Sequence, residues 1–125
     1  MEISKPKKIF VIDDDEMLTM AMTDYLTKDT AHDISVFHTG EEAVKNLSEN
    51  PEVVILDYFL NTVDKDAANG LEVLKAIKQH LPNTQFIMLS SQESYSTAAQ
   101  TIQHGAEQYV IKDEEAFEKI AKMIR

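Results

Sequence analysis

Five short apolar runs alternate with five amphipathic stripes along this 125-residue chain. The pattern predicts an α/β protein: a parallel sheet with helices on both faces. Two further observations support it. Three of the runs are apolar throughout, as in strands buried on both sides. Polar residues, aspartates above all, close the runs at one end.

The first strand is the run Ile9 to Ile12, preceded by Lys7 and Lys8, which mark its solvated start, and followed by Asp13, Asp14 and Asp15. From Glu16 to Lys28 a helical stripe carries Leu18, Ala21, Met22, Tyr25 and Leu26 at i, i+3, i+4, i+7 and i+8. Met17, Met20 and Met22 are core filler and flank. Asp15 reads as the first-turn acid that favours a helix dipole. A short second strand holds Ile34 and Val36. Thr39-Gly-Glu-Glu42 is a capping box opening a helix with Ala43, Val44 and Leu47, which Asn50-Pro51 stops.

Val53 to Leu56 is the third strand and ends in Asp57. After a long loop, Asn69-Gly70 opens a helix with Leu71, Leu74, Ile77 and Leu81 inward, stopped by Pro82. Phe86 to Leu89 is the fourth strand, ending in Ser90, with Ser91 as a helix-entry residue. Tyr95, Ala98, Ala99 and Ile102 stripe the next helix, closed by Gly105 in a left-handed position. Tyr109 to Ile111 is the fifth strand and ends at Lys112. Phe117, Ile120, Ala121 and Ile124 stripe the last helix.

Right-handed crossovers leave few topologies for such a chain. The expected one is a three-layer, doubly wound, flavodoxin-like sheet of five parallel strands in the order 2-1-3-4-5, with five helices, residues 1–125 forming one domain. In that order every strand's carboxyl end lies on one edge. Asp13, Asp14, Asp15, Asp57, Ser90 and Lys112 then converge at the switch point, while the second strand, ending near Phe37 and His38, adds nothing obvious. Clustered carboxylates repel one another unless a cation sits among them, and hard oxygen donors suit Mg²⁺. A carboxylate beside that cation, faced by a hydroxyl and an ammonium, is set to attack phosphorus.

Composition narrows the rest. A formal net charge of −10 argues against phosphate-driven nucleic-acid binding. The absence of cysteine excludes disulfides and thiolate metal sites, and no apolar run is long enough to span a bilayer, so a cytoplasmic location is expected. His32, His38, His80 and His104 form no i, i+4 ligand pair.

The IDDD run, the strand VVILD, the hydroxyl in IMLS and the run YVIK, each closing its own strand, resemble the receiver domain of two-component response regulators over essentially the whole chain. The resemblance implies that Asp57 accepts a phosphoryl group from a sensor histidine kinase or histidine phosphotransfer protein. It implies Mg²⁺ or Mn²⁺ held by Asp14, Asp57 and the Phe59 carbonyl, with Asp13 acting through water. Ser90 and Lys112 would bind phosphoryl oxygens, and Ser90 and Tyr109 would form the switch. A homodimer or an effector would use the face of the fourth helix, fifth strand and fifth helix. Such a chain is a signalling domain rather than an enzyme, either a stand-alone receiver or one whose effector has been removed.

Three positions depart from the family. The loop is extended near Asn61 to Ala68, with Asn61 where proline is common; Asp64 and Asp66 hint at a calcium loop that the following positions do not complete. Lys112 is followed by Asp113 instead of proline, so a trans bond or local strain is expected. Phe59 is bulky beside the path of an attacking water, which predicts slow loss of phosphate. Two alternatives remain: a haloacid-dehalogenase-like phosphatase using Asp13 and Asp15, and an adaptor of the same fold that never accepts phosphate.

Overall fold

The computed structural model describes residues 5–60, 69–91 and 94–124. Its elements are β1 (Lys8–Ile12), α1 (Glu16–Leu26), β2 (Asp33–Phe37), α2 (Gly40–Lys45), a 3₁₀ turn (Leu47–Glu49), β3 (Val53–Asp57), α3 (Gly70–His80), β4 (Gln85–Ser90), α4 (Tyr95–Gln103), β5 (Gln108–Ile111) and α5 (Ala116–Met123). The strands form one parallel sheet in the order β2-β1-β3-β4-β5. The expected architecture is the one observed. The proposed loop Asn61 to Ala68, with Asp64 and Asp66, lies outside the described residues.

Alternate residues of the central strands feed two cores. Phe10, Ile12, Val54, Leu56, Phe86 and Met88 face the side of α2 and α3, where Val73, Leu74 and Ile77 meet them. Ile9, Val11, Val53, Ile55, Ile87 and Leu89 face α1 and α5, against Met22, Leu26, Ala116 and Ile120. Strands sealed on both sides keep their backbone rigid, and this fixes where their carboxyl ends sit.

Several local expectations need correction. On α1, Thr19 is buried and Ala21 exposed, because the Thr19 hydroxyl donates to the Glu16 carbonyl at 2.9 Å and enters the core already satisfied. Met22 is core, whereas Met17 and Met20 are exposed. Thr39 caps α2 by accepting from Glu42 N, but Leu47 lies beyond the α-helix in the 3₁₀ turn. The reciprocal capping box belongs to Asn69 and Glu72 on α3. On that helix Val73 joins Leu74 and Ile77 in the core, and Leu71 and Leu81 are half-buried.

The largest difference is α4, whose apolar stripe turns outward: Tyr95 is 89% and Ile102 46% exposed. Thr101 is buried in their place, its hydroxyl bonded to the Ala98 carbonyl at 2.9 Å. Ser94, not Ser91, caps this helix, accepting from Thr97 N. Gly105 has φ +113°, the positive-φ stop expected there. On α5, Ala116 is buried and Ala121 exposed. Lys8 is not solvated: its Nζ lies 2.7 Å from Ser35 Oγ, 2.8 Å from Glu49 and 3.2 Å from Asp33.

Candidate functional site

The site is assembled by strand register. Parallel pairing of β1 with β3 brings Ile12 opposite Leu56, so the acids that follow leave the sheet side by side. Asp13 is held from both directions: its N–H donates to the Phe37 carbonyl at 3.0 Å, and its Oδ1 accepts from Asp15 N at 3.0 Å. Asp15 turns the other way and caps α1, its Oδ1 accepting from Leu18 N at 3.1 Å. Asp14, between them, is half-exposed.

Asp57 closes β3 and is buried, its Oδ1 accepting from Phe59 N at 3.2 Å. The Phe59 main chain is thereby placed beside the carboxylate. Asp13, Asp14 and Asp57 each offer an oxygen within 4.8 Å of the others. Across from them, Lys112 follows β5 and reaches in, its Nζ 3.0 Å from Asp13 Oδ2 and 3.3 Å from Asp57 Oδ2. No described peptide bond is cis, so the lysine makes this reach through a trans bond to Asp113. Ser90 is fully buried at the end of β4, and its carbonyl anchors Lys112 N at 2.8 Å. Tyr109, paired with Met88, is half-buried against the core on the α2–α3 side.

Electrostatics follow from burial. Desolvation pushes the Asp57 carboxyl up to about 7, and the charge of Asp13 adds to it; Lys112 and the Phe59 N–H pull the other way. For Lys112, burial acts to lower the pKa, but the charges of Asp13 and Asp57 outweigh it and raise the ammonium above its ordinary value. Asp13 Oδ2 is buried without a well-aligned hydrogen bond, so its partner at 3.0 Å is the lysine's charge rather than a directional bond. Three converging carboxylates with one ammonium leave negative charge over. This donor set of hard oxygens fits a divalent cation such as Mg²⁺ or Mn²⁺.

Two residues outside the sequence-derived set complete the picture. His38, just past β2, donates from Nδ1 to the Asp13 carbonyl at 3.0 Å, so the second strand's tip does reach the site. A histidine after a strand carries no signal of such a contact. Gly70 packs onto the backbone beside Asp57: a Cβ there would lie 2.5 Å from the Asp57 carbonyl oxygen and 2.6 Å from Tyr58 Cα. Its N–H bonds the Tyr58 carbonyl at 2.8 Å. In the sequence the Asn-Gly pair signals only a helix start, but its glycine lets α3 begin against the strand end.

Comparison with known proteins agrees with this fold. The model of the response regulator receiver domain matches residues 9–125. The response regulator protein VraR of Staphylococcus saprophyticus is 28% identical over 96% of this chain and 56% of its own length. A protein-glutamate methylesterase/protein-glutamine glutaminase of Archaeoglobus fulgidus is 34% identical over 87% of this chain and 30% of its own. The chain thus spans less than two thirds of either relative. Among solved structures, the BeF3-activated receiver domain of DrrB, from Thermotoga maritima, superposes with a TM-score of 0.81 at 26% identity, covering 94% of both chains.

Proposed function

The chain belongs to the response regulator receiver domain family, and from that premise we propose that Asp57 is the phosphoacceptor of a switch in two-component signalling. The observation that carries this reading is the placement of Lys112 Nζ 3.0 Å from Asp13 and 3.3 Å from Asp57, within a cluster of three carboxylates. The donor is a phosphohistidine on a sensor kinase or phosphotransfer protein, met in the cytoplasm. Asp57 Oδ2 attacks phosphorus; a P–O bond forms as the P–N bond breaks, and the departing imidazole keeps the electron pair and takes up a proton.

Asp14, Asp57 and the Phe59 carbonyl would hold Mg²⁺ or Mn²⁺, with Asp13 acting through a water. When bound, that cation keeps Asp57 ionised and screens the phosphoryl oxygens. Lys112, already beside the attacking oxygen, pairs with a phosphoryl oxygen after transfer. Ser90 hydrogen-bonds another, and Ser90 with Tyr109 passes the change to the face of α4, β5 and α5. The outward stripe of Tyr95 and Ile102 supports that face as the surface for an effector or a second copy. The domain signals, and its only chemistry is on itself.

Reductive trapping of the acyl phosphate followed by peptide mapping tests the reading. Label on Asp57 supports it. Label on Asp13 supports a phosphatase, a reading that Asp15, spent on capping α1, does not favour. No label supports a phosphate-independent adaptor. Phe59→Asn is expected to speed phosphate loss about tenfold, by opening a path for water; an unchanged decay of the isolated phosphoprotein rejects the steric explanation.

A further inference from the structure

We infer that Asp113 is a positioning residue for Lys112, holding by hydrogen bonds the turn that carries the lysine. The inference deepens the proposed function and rests on its reading of Lys112. Lys112 sits at the centre of a three-residue turn, because Asp113 N–H donates to the Ile111 carbonyl at 2.8 Å. The carboxylate of Asp113 then reaches forward, its Oδ1 accepting from Glu115 N at 2.9 Å. Its main-chain carbonyl accepts from Ala116 N at 3.2 Å, and Lys119 Nζ lies 3.8 Å from Oδ2.

One residue therefore ties the turn that carries the lysine to the first turn of α5. The tie is needed locally, since Glu115, at the α5 N-cap, makes no side-chain cap bond of its own. A proline at 113 would have no N–H for Ile111 and no carboxylate for Glu115. The lysine also has room to stray: beside it lies a hollow of about 240 Å³ lined by Leu18, Leu89, Ala116 and Phe117. With Lys112 N pinned to Ser90 on one side, Asp113 fixes the other side of the same residue and aims the side chain at Asp13 and Asp57.

The experiment compares wild type, Asp113→Asn and Asp113→Ala, in the native background and with Lys112→Ala, following labelling by acetyl phosphate at saturating Mg²⁺. Asp113 is exposed, so these changes leave the fold intact, which a thermal melt verifies. Asp113→Ala is expected to slow labelling about tenfold, because a misplaced charge loses much of its effect on the reacting group. Asp113→Asn, which keeps the acceptor oxygen, is expected to hold the rate within about twofold of wild type. In the Lys112→Ala background, Asp113→Ala should change nothing further. Independently of activity, the Lys112 ammonium ¹⁵N resonance should persist in wild type and Asp113→Asn and vanish by exchange in Asp113→Ala.

Labelling of Asp113→Ala at the wild-type rate overturns the inference, as does further slowing in the Lys112→Ala background. Absence of label in wild type overturns the phosphoacceptor reading itself and is told apart by that control.

Discussion

The sheet carries a lysine between two carboxylates at each of its ends, and the two sets behave differently. At the amino end Lys8 meets Asp33 and Glu49, whose side chains are 77% and 38% exposed. At the carboxyl end Lys112 meets Asp13 and Asp57, which are 2% and 3% exposed. The two lysine side chains are similarly exposed, at 17% and 20%, so the sharper contrast lies in the acids. Water solvates the acids around Lys8, and the lysine's hydrogen bond holds the Glu49 carboxyl below its ordinary value. Around Lys112 the acids are stripped of water and repel each other, and Asp57 is driven up to about 7. An ammonium between two carboxylates makes a clasp when the acids are wet and an electrostatically strained cluster when they are dry.

The contrast breaks most visibly at Lys112. Lys112→Ala should slow phosphorylation by about a hundredfold, since one preorganised charge at the reacting oxygen is removed. Rates from acetyl phosphate check it, and a rate near wild type would reduce this lysine to a clasp like Lys8. Next in size is the effect of Asp57 on stability. Its folded-state pKa of about 7 lies above the ordinary 3.8, so the fold favours the protonated acid. Metal-free protein should therefore lose stability as pH rises from about 4 to 7, on the order of a few kcal/mol. Denaturant melts should show Asp57→Asn free of that loss, and added Mg²⁺ should restore wild type at the alkaline end.

The amino-end set sharpens the comparison from the other side. Lys8→Met should lower the denaturant midpoint only slightly, as for a pair whose acids remain in water, with phosphorylation unchanged. The smallest effect is that of His32, whose Nδ1 accepts from Lys7 N at 3.0 Å. Burial first, then the charge of Lys7, lowers its pKa, so the fold favours the neutral ring. Its contribution is complete above the ordinary value of 6.5 and fades as pH falls through it. His32→Gln should flatten that part of the pH–stability profile.

How far the sequence discloses all this depends on what kind of signal each residue carries. Sheet order and strand ends were readable because uniformly apolar strands admit few arrangements, and their closing acids stand out against them. That signal marks Asp13, Asp14, Asp57 and Lys112, which the structure brings together. The orientation of α4 was not: an apolar stripe marks a face without saying what covers it, and Thr101 displaced it by satisfying its own hydroxyl on Ala98. Thr19 did the same on α1. His38 and Gly70 were missed because their contacts are with main chain, the Asp13 carbonyl and the Asp57 backbone, which no side-chain pattern announces. Lys8 looked solvated because its partners lie 25 and 41 residues away, at Asp33 and Glu49.

The most direct test of the central claim is the intact mass of the protein after incubation with acetyl phosphate, with Mg²⁺ or with chelator, for wild type and Asp57→Asn. The account predicts one added phosphoryl group in wild type with Mg²⁺, and none with chelator or in the variant. An unchanged wild-type mass, or the same gain in Asp57→Asn, would contradict it.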